Sequence, residues 1–114
     1  MTDLKDNKCE PCTGSSQPVP HEEIARLMDK IPKWELIEME GVNRLRRNFK
    51  FNNFVEALAF TNRVGAIADE EDHHPEIVTE WGKVTVTWWT HKIKGLHLND
   101  FIMAAKTDDL FKGM

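Results

Sequence analysis

Glu76-Ile77-Val78-Thr79-Glu80-Trp81-Gly82-Lys83-Val84-Thr85-Val86-Thr87-Trp88-Trp89-Thr90-His91 reads as two β-strands about a tight turn. The first strand spans Glu76 to Trp81 and the second Lys83 to His91, with Gly82 supplying the positive φ that such a turn asks for. Val84, Val86 and Trp88 alternate against Thr85, Thr87, Trp89 and His91, so one face of the hairpin is apolar. The alternation puts His91 opposite the valines, at a strand end and outside a helix-packed core.

Upstream lies Asp69-Glu70-Glu71-Asp72-His73-His74-Pro75. Pro75 disfavours helical backbone at His74, which marks a helix exit. The helix that ends there starts near Phe54, with Asn53 as its cap and Glu56 as the N3 partner, and runs to Glu70 or Glu71. Its apolar residues Phe54, Ala57, Leu58, Phe60, Val64, Ile67 and Ala68 form a broad stripe suited to covering a sheet. An acidic run at the negative end of a helix dipole is unusual. Solvated carboxylates tolerate it at small cost, and the functional alternative is that they hold the adjacent histidines as imidazolium.

Further upstream, Trp34 to Met39 and Arg44 to Phe51 form a second strand pair about Glu40-Gly41-Val42-Asn43. Leu45, Phe49 and Phe51 point one way, and Arg44, Arg46, Asn48 and Lys50 form a basic face that reads as solvated. Arg47 lands on the apolar face. A snorkelling arginine at a sheet edge is favoured over one that reaches for an anionic or carbonyl-bearing ligand. His21 to about Lys30 is a short amphipathic helix carrying Ile24, Leu27, Met28 and Ile31, stopped by Pro32. After the second hairpin, Gly95 leads to a final helix over about Leu98 to Phe111, with Phe101, Ile102, Ala105 and Leu110 for packing and Asp100 in its first turn. The order helix-strand-strand-helix-strand-strand-helix predicts an α+β domain: a four-stranded antiparallel sheet with three helices packed on one face. Trp81 and Trp89 on the other face suit an oligomer surface.

Length and composition bound the rest. One hundred and fourteen residues make one domain, and 40% apolar with 30% charged residues is ordinary for a globular chain. Apolar runs reach only about five residues against the ~20 that span a bilayer. The first eight residues lack the apolar core of a secretory signal, so a cytoplasmic protein is expected. A net charge of −4 offers no field for polyanions and argues against direct nucleic-acid binding. Residues 1–19 read as a flexible tail preceding the domain at 20–114, and Cys9-Glu10-Pro11-Cys12 within it reads as two reduced thiols, since the second ligand pair of a structural zinc site is missing.

His73, His74 and His91 admit three readings: surface or capping histidines, metal ligands, or acid–base groups. Neighbouring residues on a helix or strand point apart, and no H-x-x-x-H pair is present, so metal binding is disfavoured. Proton transfer near neutral pH suits imidazole better. His21 and His97 lack such company and read as surface residues.

Taken together, Asp72-His73-His74-Pro75-Glu76, Lys83-Val84-x-Val86-x-x-x-Thr90-His91 and Gly95-Leu96-x-x-x-Asp100-Phe101 resemble the pterin-4a-carbinolamine dehydratase family, also described as 4a-hydroxytetrahydrobiopterin dehydratase. Trp34, Glu40-Gly41, Phe49-x-Phe51-x-x-Phe54 and Arg63-Val64 extend the likeness over nearly all of the chain from about residue 20. The resemblance implies the same element order, dimers or tetramers, and a reaction without metal or cofactor. In that reaction a 4a-hydroxytetrahydropterin loses water to give the quinonoid dihydropterin, recycling the pterin of aromatic amino-acid hydroxylases.

It also implies that His73, His74 and His91 occupy the three active-site histidine positions. Asp72, His73 and His74 with Trp89, Thr90, His91 and Lys92 match the pterin-binding segments, and Asp69 and Asp100 match acidic positions beside them. His73 and His91 are expected to flank C4a as acid–base groups, with His74 positioning the pterin. Animal members differ in carrying a tryptophan where this chain has Ile77 and smaller residues where it has Trp88-Trp89. Because animal relatives also serve as dimerisation cofactors of a transcription factor, a non-catalytic binding module is the alternative.

Overall fold

The computed structural model describes residues 4–10 and 17–114, so Cys12 lies outside the described residues. The second hairpin forms from β3 (Glu76–Glu80) and β4 (Lys83–Trp88), antiparallel, with Glu80 opposite Lys83 next to the turn. Gly82 does not take the expected positive φ. Glycine is favoured there for another reason, since a Cβ at this position would come within a tight 3.1 Å of the Phe51 carbonyl oxygen. The Phe51 N–H donates to the Gly82 carbonyl at 2.9 Å, tying the two hairpins together.

The first hairpin joins β1 (Glu35–Met39) to β2 (Val42–Lys50). Its turn is shorter than the expected four residues, because Met39 already pairs with Val42. Glu40 and Gly41 alone make the turn, with φ of 54° and 77°, the pair of positive values that matches strand twist in a two-residue hairpin. The sheet order is β1-β2-β4-β3. On its outer face Glu35 lies opposite Arg46, and Lys83, which stands opposite Lys50, pairs with Glu80 at 3.2 Å.

The inner face, built from Leu45, Phe49, Val84, Val86 and Trp88, is buried. Over it lie α2 (Phe54–Glu71) and α3 (Leu98–Lys112), while α1 (His21–Met28) adds Ile24 and Leu27 to the core. This is the α+β arrangement expected, three helices and a four-stranded antiparallel sheet. The buried stripe of α2 is narrower than its composition suggests: Ala57, Phe60, Val64 and Ala68 are buried, whereas Phe54 and Leu58 stay 45% and 43% exposed. Leu58 follows Ala57 by one residue and is therefore turned about 100° away from it. Asn53 caps the helix by accepting from the Glu56 N–H at 2.9 Å, but the Glu56 carboxylate accepts from Asn52, not from Asn53 itself.

Arg47 is neither at a sheet edge nor aimed at a ligand. It sits on β2, an inner strand, and its guanidinium donates to Asp108 of α3 at 2.5 Å while lying 4.4 Å from the centre of the Phe49 ring. Trp34 Nε1 donates to the same Asp108 oxygen at 2.8 Å. Both charged side chains are under one-fifth exposed, at 16% and 18%. Asp108→Ala is therefore expected to lower stability by about 2–3 kcal/mol, between the values for exposed and fully buried pairs. Urea unfolding would show this as a lower midpoint at unchanged slope; a midpoint like that of the wild type would mean that the pair contributes nothing net.

Candidate active site

The end of α2 sets the first segment. Asp72 follows the last helical residue in the left-handed conformation, φ 52° and ψ 42°, and its N–H still reaches back to Ala68 and Asp69. The His73 N–H also returns to the Ala68 carbonyl, at 3.0 Å. Such a cap usually uses glycine, and aspartate is among the few other residues that tolerate it. It turns the chain sharply, so that His73 is buried while its neighbour His74 is exposed.

Inside, His73 meets Asp100 of α3. Its Nε2 lies 2.6 Å from Asp100 Oδ1, while Thr90 Oγ1 donates to Asp100 Oδ2 at 2.8 Å and the His97 N–H donates to the same oxygen at 2.9 Å. Asp100 is completely buried. An ionised carboxylate only accepts, so the His73 proton on this side is assigned to Nε2, leaving Nδ1 as the nitrogen that can take up or give a proton. The flat face of His73 stacks on Trp88, ring centres 5.8 Å apart and planes 11° from parallel.

Asp100 is also the N3 residue of α3, in a capping box with His97 at the N-cap. His97 is thus no plain surface residue: its Nδ1 accepts from the Asn99 N–H at 3.0 Å. Histidine lies outside the usual cap set of Ser, Thr, Asp and Asn, which hid this role, although the acid three positions on was a signal.

The strand expected to reach His91 stops at Trp88. Thr90 turns inward to Asp100 and pairs with Gly95, closing a loop in which His91 opens a short 3-10 turn, His91–Ile93. The His91 ring meets Trp89 at 4.5 Å between centres, and the Arg44 guanidinium lies 4.1 Å from the Trp89 ring. On the other side, His74 Nε2 is 3.3 Å from Asp69 Oδ1, with both side chains mostly exposed, so water screens that contact.

Between these segments lies a cleft of about 380 Å³ lined by Asp72, His73, His74, Thr90, His91 and Lys92. Asp69, Trp89 and Asp100 stand behind the lining, each touching one of the histidines. Four further residues line the cleft: Glu71, expected only as part of the acidic run beside the histidines, and Cys9, Glu10 and Asn99, for which the sequence suggested no place at the site. Cys9 and Glu10 fell within the stretch read as a tail, and no periodicity marks Glu71 or Asn99 as facing a ligand. Burial, and next the Glu71 carboxylate, push the Cys9 thiol up to about 12. Among the described residues no helix is long and apolar enough to cross a membrane.

Comparison with known proteins bears on this geometry. The family model for pterin 4 alpha carbinolamine dehydratase matches residues 17–110. A Saccharophagus degradans protein that bears the family's name is 58% identical over 113 residues, covering 99% of this chain and 100% of that protein. Among solved structures, a transcriptional coactivator/pterin dehydratase from Brucella melitensis superposes with a TM-score of 0.75 at 28% identity, covering 82% of this chain and 98% of its own. A pterin dehydratase-like protein identified as a RuBisCO assembly factor shares the fold at a TM-score of 0.58 and 21% identity, covering 69% of this chain and 89% of its own. With the match running from before α1 to within α3, the chain belongs to the pterin-4-alpha-carbinolamine dehydratase family.

Proposed function

We propose that this protein removes water from a 4a-hydroxytetrahydropterin, releasing the quinonoid dihydropterin by histidine acid–base catalysis. The observation that carries this reading is the His73–Asp100 pair beside a cleft that also holds His74 and His91. In the reaction the C4a–O bond breaks and its electron pair leaves with the oxygen, which must gain a proton to depart as water. The N5 lone pair forms the new double bond to C4a, and the N5 proton is released. One acid and one base suffice, with no net proton change, and the pterin is a substrate that needs neither metal nor cofactor beside it.

His73 and His91 are the proposed acid–base pair, and His74 orients the pterin ring. With Nε2–H engaged by Asp100, His73 exchanges its proton through Nδ1, and Asp100 is a positioning residue. Asp69 holds His74 more loosely, by a direct contact exposed to solvent. Asp72 and Lys92 supply polar contacts at the cleft, and Trp89 backs His91. A carbinolamine of this kind is a product of pterin-dependent hydroxylation, so an aromatic amino-acid hydroxylase is the proposed source of substrate. A homodimer or homotetramer is supported by exposed apolar residues on and beside the outer sheet face: Met39 at 46%, Val78 at 45% and Trp81 at 70%. The same surface suits a non-catalytic binding module, the second reading.

Stopped-flow conversion of enzymatically generated 4a-hydroxytetrahydropterin separates the two. The wild type should outrun spontaneous dehydration, and His73→Ala and His91→Ala should each lower kcat/KM about 10²–10³-fold. A wild type no faster than background sinks the enzyme and leaves the binding module. Asp100→Asn, whose amide cannot accept all three donors, is expected to lower kcat about 100-fold with little change in KM. A rise confined to KM would instead give Asp100 a role in binding alone.

A further inference from the structure

The segment 4–10 does not merely precede the domain. It packs along α3 and ends in the cleft, held by side chains instead of a strand ladder. Lys106 Nζ donates to the Lys5 carbonyl at 2.9 Å, an exposed tie. The firmer ties come at the site. Asn99, 1% exposed, uses its amide in both directions on Glu10: Oδ1 accepts from the Glu10 N–H at 2.9 Å, and Nδ2 donates to the Glu10 carbonyl at 2.7 Å. One residue earlier, the Cys9 N–H donates to Glu71 Oε1 at 2.8 Å. Glu71 ends α2 and Asn99 lies in the first turn of α3, so the segment bridges the same two helix ends that bring His73 to Asp100.

Three part-buried backbone groups of the segment are satisfied by side chains, which favours one placement of the chain. We propose that Cys9 and Glu10 form a wall of the pterin cleft, set in place by Asn99 and Glu71, and that this wall governs how tightly the pterin is held and not how fast it reacts. The identity of the ligand rests on the dehydratase reading above. None of the bonds that hold the segment involves His73, His74, His91 or Asp100, so it leaves the proposed proton-transfer groups untouched. The thiol, mostly protonated at neutral pH, presents a soft apolar surface to the cleft and reacts as a nucleophile only slowly. A contact made equally to ground state and transition state lowers KM and leaves kcat alone.

The test uses the full chain with Cys12→Ser, so that Cys9 is its single thiol. Its rate of modification by 5,5′-dithiobis(2-nitrobenzoate) is followed with and without 7,8-dihydrobiopterin, which lacks the 4a-hydroxyl and does not turn over. The pterin should slow modification about tenfold at roughly ten times its Kd. In the Asn99→Ala variant, KM for the carbinolamine should rise about 5–10-fold with kcat within about twofold, and protection at the same pterin concentration should fall from about tenfold to about two- to threefold. If Asn99→Ala does not fold, Cys9→Phe, which narrows the cleft from the same wall, should give the same split. A wild type that turns over while pterin leaves Cys9 unprotected overturns the wall and spares the dehydratase. Protection without turnover supports the wall as part of a pterin-binding site and sinks the dehydratase. A fall in kcat at constant KM in either variant would also overturn the wall.

Discussion

A carboxylate with no exposed surface, Asp100, sits where three stretches of chain meet. Taking an ionised carboxylate out of water is costly unless hydrogen bonds replace the lost solvent. Here His73, Thr90 and the His97 backbone replace it, each a charge-assisted bond of about 1.5–3 kcal/mol. The helix dipole adds to this, since Asp100 lies in the first turn of α3. Much of the local geometry follows from that demand. Thr90 must turn inward, which accompanies the end of β4 at Trp88 and frees His91 to enter a short turn at the cleft.

The same helix then carries polar links down its length. Thr107 accepts from Trp88 Nε1 at 3.2 Å, and Trp88 in turn supports the His73 ring from its other side. At the very next residue, Asp108 gathers Trp34 and Arg47 against the Phe49 and Phe111 rings. α3 is therefore more than an apolar lid on the sheet. Its buried polar atoms fix its rotation and its height, and with them the position of Asp100.

The period of the apolar residues made the architecture legible before any coordinates: two-residue alternation in the hairpins, helical spacing around Phe60 and Phe101, and Pro75 as the break between. Histidine type, local acidity and the family resemblance brought His73, His74 and His91 together. Contacts across distant sequence were less legible: Asp100 and Asp69 stood out as carboxylates near the histidines, but not which imidazole each one meets. Nothing in residues 73 and 100 alone says that one carboxylate oxygen meets one imidazole nitrogen. Arg47 looked anomalous on an apolar face because its partner lies 61 residues away. Gly82 was legible as a turn residue but for the wrong reason, because the crowding comes from Phe51 in another hairpin. The Cys9–Glu10 stretch was the largest gap, since a segment held by other residues' side chains has no periodicity of its own to reveal it.

Asp72 shows what the helix end costs. A residue with a Cβ in left-handed backbone gives up about 1 kcal/mol relative to glycine, and this residue also stands after three other acids at the negative end of α2. Glycine at this position would make a more stable protein on both counts. The chain instead keeps a carboxylate that lines the cleft, so stability and site chemistry are traded against each other at a single backbone position. Stabilising changes selected blindly for melting temperature would tend to arrive at residue 72 and take the carboxylate out of the cleft.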